Sequence, residues 1–141
     1  MEYKFARIDL QQTNYSLLQN AKLLVDIDVD QMQMIYKVYC RYKKFSSVMP
    51  LFESEFYNND IIGYFDSNEL VAWSMIGVYD KHNIENYQFA WNYNNPASRL
   101  GINSLYHECA YYKQNGYRYY YIGANESYKS DIEGYEELGP I

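Results

Sequence analysis

Cysteine, histidine and proline are all scarce: the 141 residues include two, two and three of them. Cys40 and Cys109 fall in helical patterns and share no metal-ligand spacing. A disulfide scaffold and a zinc module are therefore excluded, and both thiols are expected to be free in a reducing cytosol. Neither His82 nor His107 belongs to a His–Glu–His array, and no serine sits in a Gly-x-Ser-x-Gly elbow, so metal and serine hydrolases have no foothold; no metal is expected. No run approaches 18 consecutive apolar residues, and Met1-Glu2-Tyr3-Lys4 lacks a signal-peptide core, so a cytoplasmic protein is expected. Positive charge is also short, with 12 Lys and Arg against 18 Asp and Glu and a net charge of −6. An acidic chain gains no counterion-release energy on nucleic acid and is repelled by anionic membranes, so neither is expected as a partner.

The chain does have an ordinary hydrophobic share, 48%, and an unusual number of tyrosines, 19. Asn, Ile and Lys are also frequent, so coding bias accounts for the tyrosines better than a dedicated aromatic surface does. The length suits one domain, 1–141, with a core that needs no disulfide.

The periodicity gives the order of parts. Phe5–Leu10 alternates and reads as a strand. Tyr15–Leu24 is expected to be a short helix capped by Asn14. Asp28 or Asp30 caps a better helix carrying Met34, Ile35, Val38, Tyr39 and Tyr42, with Arg41, Lys43 and Lys44 at its C-terminal end, where the dipole favours them. Pro50 is expected to start a helical turn with Leu51, Phe52 and Phe56. Ile61–Phe65, Leu70–Val78 and Ile84–Trp91 follow with a period of two. Asp66-Ser67-Asn68-Glu69 and Asp80-Lys81-His82-Asn83 separate them as turns, which implies an antiparallel meander. A helix over Leu100–Gln114 has Ile102, Leu105, Tyr106, Cys109 and Tyr112 on its apolar side. Glu108, off the Leu105–Cys109 stripe, is expected in solvent, and Cys109 in the core. Asn115-Gly116 ends that helix. A strand Tyr117–Ile122 follows, then a segment Glu126–Leu138 that is helical or broken by Gly134. The fold class is α/β (α+β): a mixed, mainly antiparallel sheet with helices on its faces.

One juncture carries chemistry. The last meander strand opens through Asn95-Pro96-Ala97-Ser98-Arg99-Leu100-Gly101-Ile102-Asn103 into the long helix. Free amides at the positive end of a helix dipole are where phosphates are held, and Arg99 adds a cation.

That order, with this loop and the closing Gly134-Tyr135-Glu136-Glu137-Leu138-Gly139 after Asn125, resembles the GNAT superfamily of acyl-CoA N-acyltransferases. The loop is similar to the family's pyrophosphate loop Q/R-x-x-G-x-G/A. It departs from it in Ser98, in Arg99 standing one place off, and in Asn103 where a small residue is usual. The resemblance implies transfer of an acetyl or other acyl group from acetyl-CoA, or another acyl-CoA, to a small-molecule or peptide amine by direct attack. It implies cofactor contacts from Trp91, Asn92 and Tyr93 on the strand and from Ala97, Ser98, Arg99, Leu100, Gly101 and Ile102 in the loop. Asn125 would bind the pantetheine arm, and Tyr135 would protonate the departing thiolate. The transfer also needs a base for the amine, and Glu85 or His82, where the last meander strand begins, could supply it. The acceptor site would lie by the first two helices and Asp28–Asp30. The family's last strand is expected to be missing after Pro140-Ile141, leaving an edge open to pairing and a possible homodimer. Two alternatives stay open. One is a catalytically degenerate binding or assembly module. The other is a tRNA-dependent aminoacyltransferase-like protein, to which Tyr106–Gly123 is similar.

Overall fold

The computed structural model describes residues 4–44, 51, 53–124 and 127–140. The alternating run near the N-terminus forms β1 (Lys4–Asp9), followed by β2 (Ala21–Leu23), α1 (Val29–Tyr42) and a short α2 (Glu53–Asn58). The meander is β3 (Asp60–Asp66), β4 (Glu69–Val78) and β5 (Asn83–Trp91). Then come α3 (Leu100–Gln114), β6 (Tyr119–Ala124) and β7 (Tyr135–Pro140). All seven strands join one sheet in the order β2-β3-β4-β5-β6-β1-β7. Every pairing is antiparallel except that of β5 with β6.

Local chemistry explains most boundaries. The Asp28 carboxylate accepts the amide of Gln31 and caps α1. Ser67 and Asn68 both take positive φ, 51° and 67°, the two-residue turn that matches strand twist. The Asp80 side chain accepts the amides of His82 and Asn83 and shapes the next turn. Two cores flank the sheet. α3 covers one built on Ile8, Ile62, Ala72, Ile84, Cys109 and Tyr120, and α1 with α2 covers another around Trp73, Met75, Phe56 and Cys40. Both cysteines are free and buried.

Two expectations about elements fail, and one left open is decided. Tyr15–Leu24 is not a helix: it begins without regular structure, turns at residues 19–20 and contributes β2. Tertiary contacts override its helical spacing, because the Tyr15 ring stacks on Tyr106 with centroids 4.2 Å apart and the Leu18 amide donates to His107. The C-terminal segment, left open between a helix and a chain broken by Gly134, takes the second form. A 3-10 turn, Ser127–Asp131, is followed by Gly134 at φ +76° and then by β7. The sheet also does not lack a strand at its C-terminal side. The Tyr-Glu-Glu-Leu-Gly segment is itself an edge strand, and β1 is inserted between it and β6. Among smaller differences, β6 begins two residues later than expected, at Tyr119. Pro50 and Phe52 lie outside the described residues, while Phe56 of α2 is buried as expected.

Gly134 is tied to that insertion. Its carbonyl accepts the Asp9 amide at 2.8 Å, and a Cβ on it would stand 2.3 Å from the Asp9 carbonyl oxygen. Gly134→Ala is therefore expected to cost on the order of 3 kcal/mol, from positive-φ strain plus that clash. Urea denaturation checks this, and an unchanged midpoint would mean the junction relaxes freely.

Candidate active site

The parallel pairing of β5 with β6 covers only Asn83–Glu85 against Tyr119–Tyr121. Both strands continue, β5 to Trp91 and β6 to Ala124, so beyond Glu85 they part. A bulge at Tyr87, where Met75 and Ile76 face Gln88 and Asn86, adds bend and twist to β5 at the parting point. The opening is a cleft of about 970 Å³, a volume suited to a large cofactor-sized ligand. Asn86, Gln88, Phe89 and Trp91 of β5 form one wall, the first half of α3 with Ile122 another, and Tyr39 and Lys43 of α1 a third.

The mouth of the cleft is suited to an anion. Arg99, in the left-handed region at φ 50°, directs the chain from the 3-10 turn Pro96–Ser98 into α3. The amides of Ile102 and Asn103 bond back to the Arg99 carbonyl. Those of Leu100 and Gly101 have no acceptor among the described residues, and a Cβ at Gly101 would have nothing within 4 Å. Leu100 is buried, so the Gly101 amide is the open donor on this helix start. Three cations, Lys43, Arg99 and Lys129, line the same cleft. So does Trp91, whose buried indole N–H has no acceptor among the described residues. Tyr93 stacks between Tyr42 and Trp91, with centroids at 3.8 and 4.2 Å, and stiffens this wall.

On the other side of the parting point lies a hollow of about 600 Å³, lined by Phe5, Tyr79, Tyr121 and Leu138 with Glu85 and Asp80. The Tyr79 hydroxyl donates to the Glu85 carboxylate, which lifts the phenol well above its ordinary pKa. The ring of Tyr79 meets that of Tyr87 edge to face, so the hollow adjoins the cleft.

Beneath the cleft, Glu108 is fully buried, not solvated as its spacing was read. It lies three residues after Leu105 and four before Tyr112, which places it on their face. Its Oε2 accepts from Tyr64 (2.5 Å) and Ser74 (2.6 Å), its Oε1 from Tyr120 (2.5 Å) and, more distantly, Asn86 (3.5 Å). Burial raises its pKa, and the four donors oppose that shift. His107 beside it is buried and accepts the Leu18 amide on Nδ1 at 2.9 Å. Burial lowers its pKa to about 4. A histidine whose folded pKa is depressed contributes full stability above its unfolded value near 6.5 and loses it as pH falls toward 4. His107→Gln should therefore remove an acid-side loss on the order of 2 kcal/mol. Melting curves of the two proteins from pH 7 to pH 4 test this, and parallel profiles would count against it.

The expected site residues distribute unevenly. Trp91, Tyr93, Arg99, Gly101 and Ile102 line the cleft. Asn92, Ala97, Ser98 and Leu100 do not. Leu100 is in the core, Ser98 bonds the Asn95 carbonyl, and Asn92 caps the turn at Asn94. Glu85 stands at the parting point and faces the hollow. His82 is exposed in its turn. Tyr135 opens β7, pairs with Ile8 and packs against the α3-side core. β6 and β1 separate it from β5, a span of about 14 Å. Asn125 lies outside the described residues. Asp28, placed by expectation near an acceptor, is occupied as the α1 cap. The sequence reading missed Asn86, Lys43, Lys129 and the Glu108 network as site features. Ser74 and Asn86, polar residues inside otherwise apolar strands, were the signal for that network.

No protein-family model matches the chain, and no curated protein matches it. Solved structures do. A putative GNAT-family acetyltransferase from Novosphingobium aromaticivorans superposes with a TM-score of 0.64 at 15% identity, over 98% of this chain and 61% of that one. The lysylphosphatidylglycerol synthetase L-PGS from Bacillus licheniformis gives 0.62 at 13% identity, over 86% of this chain and 46% of that one. The C-terminal domain of a putative lysylphosphatidylglycerol synthetase from Agrobacterium fabrum gives 0.61 at 11% identity, also over 86% and 46%. The chain has a divergent GNAT-like α+β fold. It spans about half the length of the synthetase structures it matches. No helix among the described residues is long and apolar enough to cross a membrane.

Proposed function

We propose that this protein is an N-acyltransferase that moves an acyl group from acyl-CoA to an amine by direct attack. The observation that carries the reading is the parting of β5 and β6 directly over the open first turn of α3, with cations at the mouth. The Gly101 amide, Lys43 and Arg99 would hold the diphosphate end, because a backbone donor and flexible cations together neutralise its charge. The Tyr42–Tyr93–Trp91 stack would exclude water from one wall. The bound thioester supplies an activated acyl carbon. Glu85, oriented by Tyr79, would take the proton from the amine, directly or through a water, while the apolar hollow holds the rest of the acceptor. The acidic rim of Glu85 and Asp80 favours a cationic amine on an apolar body.

The resemblance assigned the proton for the departing thiolate to Tyr135. We place that donor instead among the phenols that line the cleft, Tyr39, Tyr87, Tyr93 and Tyr106. Asn125 remains the proposed contact for the pantetheine arm. Release of free CoA thiol from acetyl-CoA, measured over a panel of aromatic and alkyl amines and peptide N-termini, tests the activity. Amine-dependent release is expected. Cofactor binding without release for any amine would favour a catalytically silent binding module. The matches to lysylphosphatidylglycerol synthetases make an aminoacyl ester the second donor to consider. The net charge of −6 opposes a tRNA carrier, and measurable binding of charged tRNA at moderate salt would reverse that ranking.

A further inference from the structure

Four adjacent strands aim one polar group each at Glu108: Tyr64 on β3, Ser74 on β4, Asn86 on β5 and Tyr120 on β6. Only Asn86 also lines the cleft, and it is the first residue after the last β5–β6 pair, so it stands at the apex where the strands part. Its orientation follows from donor and acceptor counting. The Tyr120 hydroxyl gives its single proton to Glu108 Oε1 at 2.5 Å, so its oxygen can only accept from Asn86, at 2.8 Å. The Asn86 amide nitrogen therefore faces the network, and Oδ1 is turned away from it. Protonation of Glu108 leaves this unchanged when the proton sits on Oε2. Tyr64, the neighbour of Oε2, has the Ser104 carbonyl at 3.1 Å as an alternative acceptor and can then receive the carboxyl proton.

We propose that Asn86 is a ligand-binding residue whose Oδ1 accepts an N–H from the arm of a pantetheine thioester at the apex, with Tyr120 and Glu108 as positioning residues. This rests on the acyl-CoA reading above. A second observation points the same way. Asn86 and Trp91 pair with Ile76 and Ala72, residues of one core, so the bulge at Tyr87 brings both onto the α3 face of β5. The unpartnered Trp91 N–H thus supplies a donor on the wall where Asn86 supplies an acceptor. An acceptor and a donor along one strand suit an extended ligand that carries both amide N–H groups and oxygens. A purely hydrocarbon chain would leave both unpaired.

The test compares two probes by calorimetry: acetyl-CoA, and adenosine 3′,5′-bisphosphate, which has phosphates but no amide arm. Asn86→Ala is expected to weaken acetyl-CoA about tenfold and to leave the bisphosphate within about twofold. Tyr120→Phe, which frees the Asn86 amide to turn, is expected to lower acetyl-CoA affinity about threefold with the same selectivity. Trp91→Phe is expected to weaken acetyl-CoA more than the bisphosphate, because it removes the donor on that wall. Melting curves check that each variant folds, and Asn86→Ser repeats the comparison if the alanine variant does not. Equal losses for both probes would reveal a merely structural role and overturn the proposal. Unchanged affinities would do the same while leaving the acyl-CoA reading intact. Failure of wild type to bind either probe would sink that reading and this one together.

Discussion

Glu108→Ala is expected to lose on the order of 4 kcal/mol of folding stability, while Glu108→Gln loses no more than about 1. The alanine leaves a cavity in a core that is 0% exposed and strands the hydroxyls of Ser74 and Tyr120 without their acceptor. Each stranded buried group costs about 1–3 kcal/mol. Glutamine mimics the protonated acid: Tyr64 can turn its proton to the Ser104 carbonyl and accept from the new amide. The pH dependence separates the two explanations for a buried glutamate, a charge tolerated and an acid held neutral. Because burial raises its pKa, Glu108 contributes most below the ordinary carboxyl range, and its contribution declines as pH rises through the folded value. Glu108→Gln should lack that decline. Urea titrations from pH 4 to pH 9 read both effects, and an alanine variant as stable as the glutamine one would mean the network contributes nothing.

Glu85→Gln is expected to lower kcat for amine acylation by about 10²–10³ and to leave the affinity for acyl-CoA within about twofold. The amide keeps the shape and can still accept from Tyr79, but it cannot take a proton from an ammonium. Tyr79→Phe should give a smaller loss, about fivefold, since the carboxylate stays and only its orientation relaxes. An unchanged kcat would move the base elsewhere and leave the hollow as a binding surface only.

The sheet was legible where local rules govern. The period-two runs, the Asp-Ser-Asn-Glu turn and the Asp28 cap all reappear in the structure, because turn and cap chemistry depends on nearby residues. Two features decided by distant contacts were not. Residues 15–24 have helical spacing but are drawn out by Tyr106 and His107, which are far away in sequence. Nothing local says that β1 slots between β6 and β7, since its alternation suits any half-buried strand. The site divided in the same way. The 3-10 turn and helix start at Pro96–Gly101 followed from local residues. Glu108 was misread because a carboxylate among Leu105, Cys109 and Tyr112 was assigned to water, when four polar groups on four strands were there to receive it. The expectation for Tyr135 rested on the closing motif alone, and its place on the edge strand β7 follows from pairing with β1, which no local signal gives.

Binding of acyl-CoA in the cleft between β5 and β6, at the start of α3, underlies every step proposed above. Calorimetric titration of the intact chain with acetyl-CoA, repeated with Lys43→Gln and Arg99→Gln together, tests it most directly. One site per chain, a thermal shift that grows with ligand concentration, and at least tenfold weaker binding in the double variant are expected. Absence of heat and of any thermal shift at millimolar acetyl-CoA, or equal binding by the double variant, would contradict it.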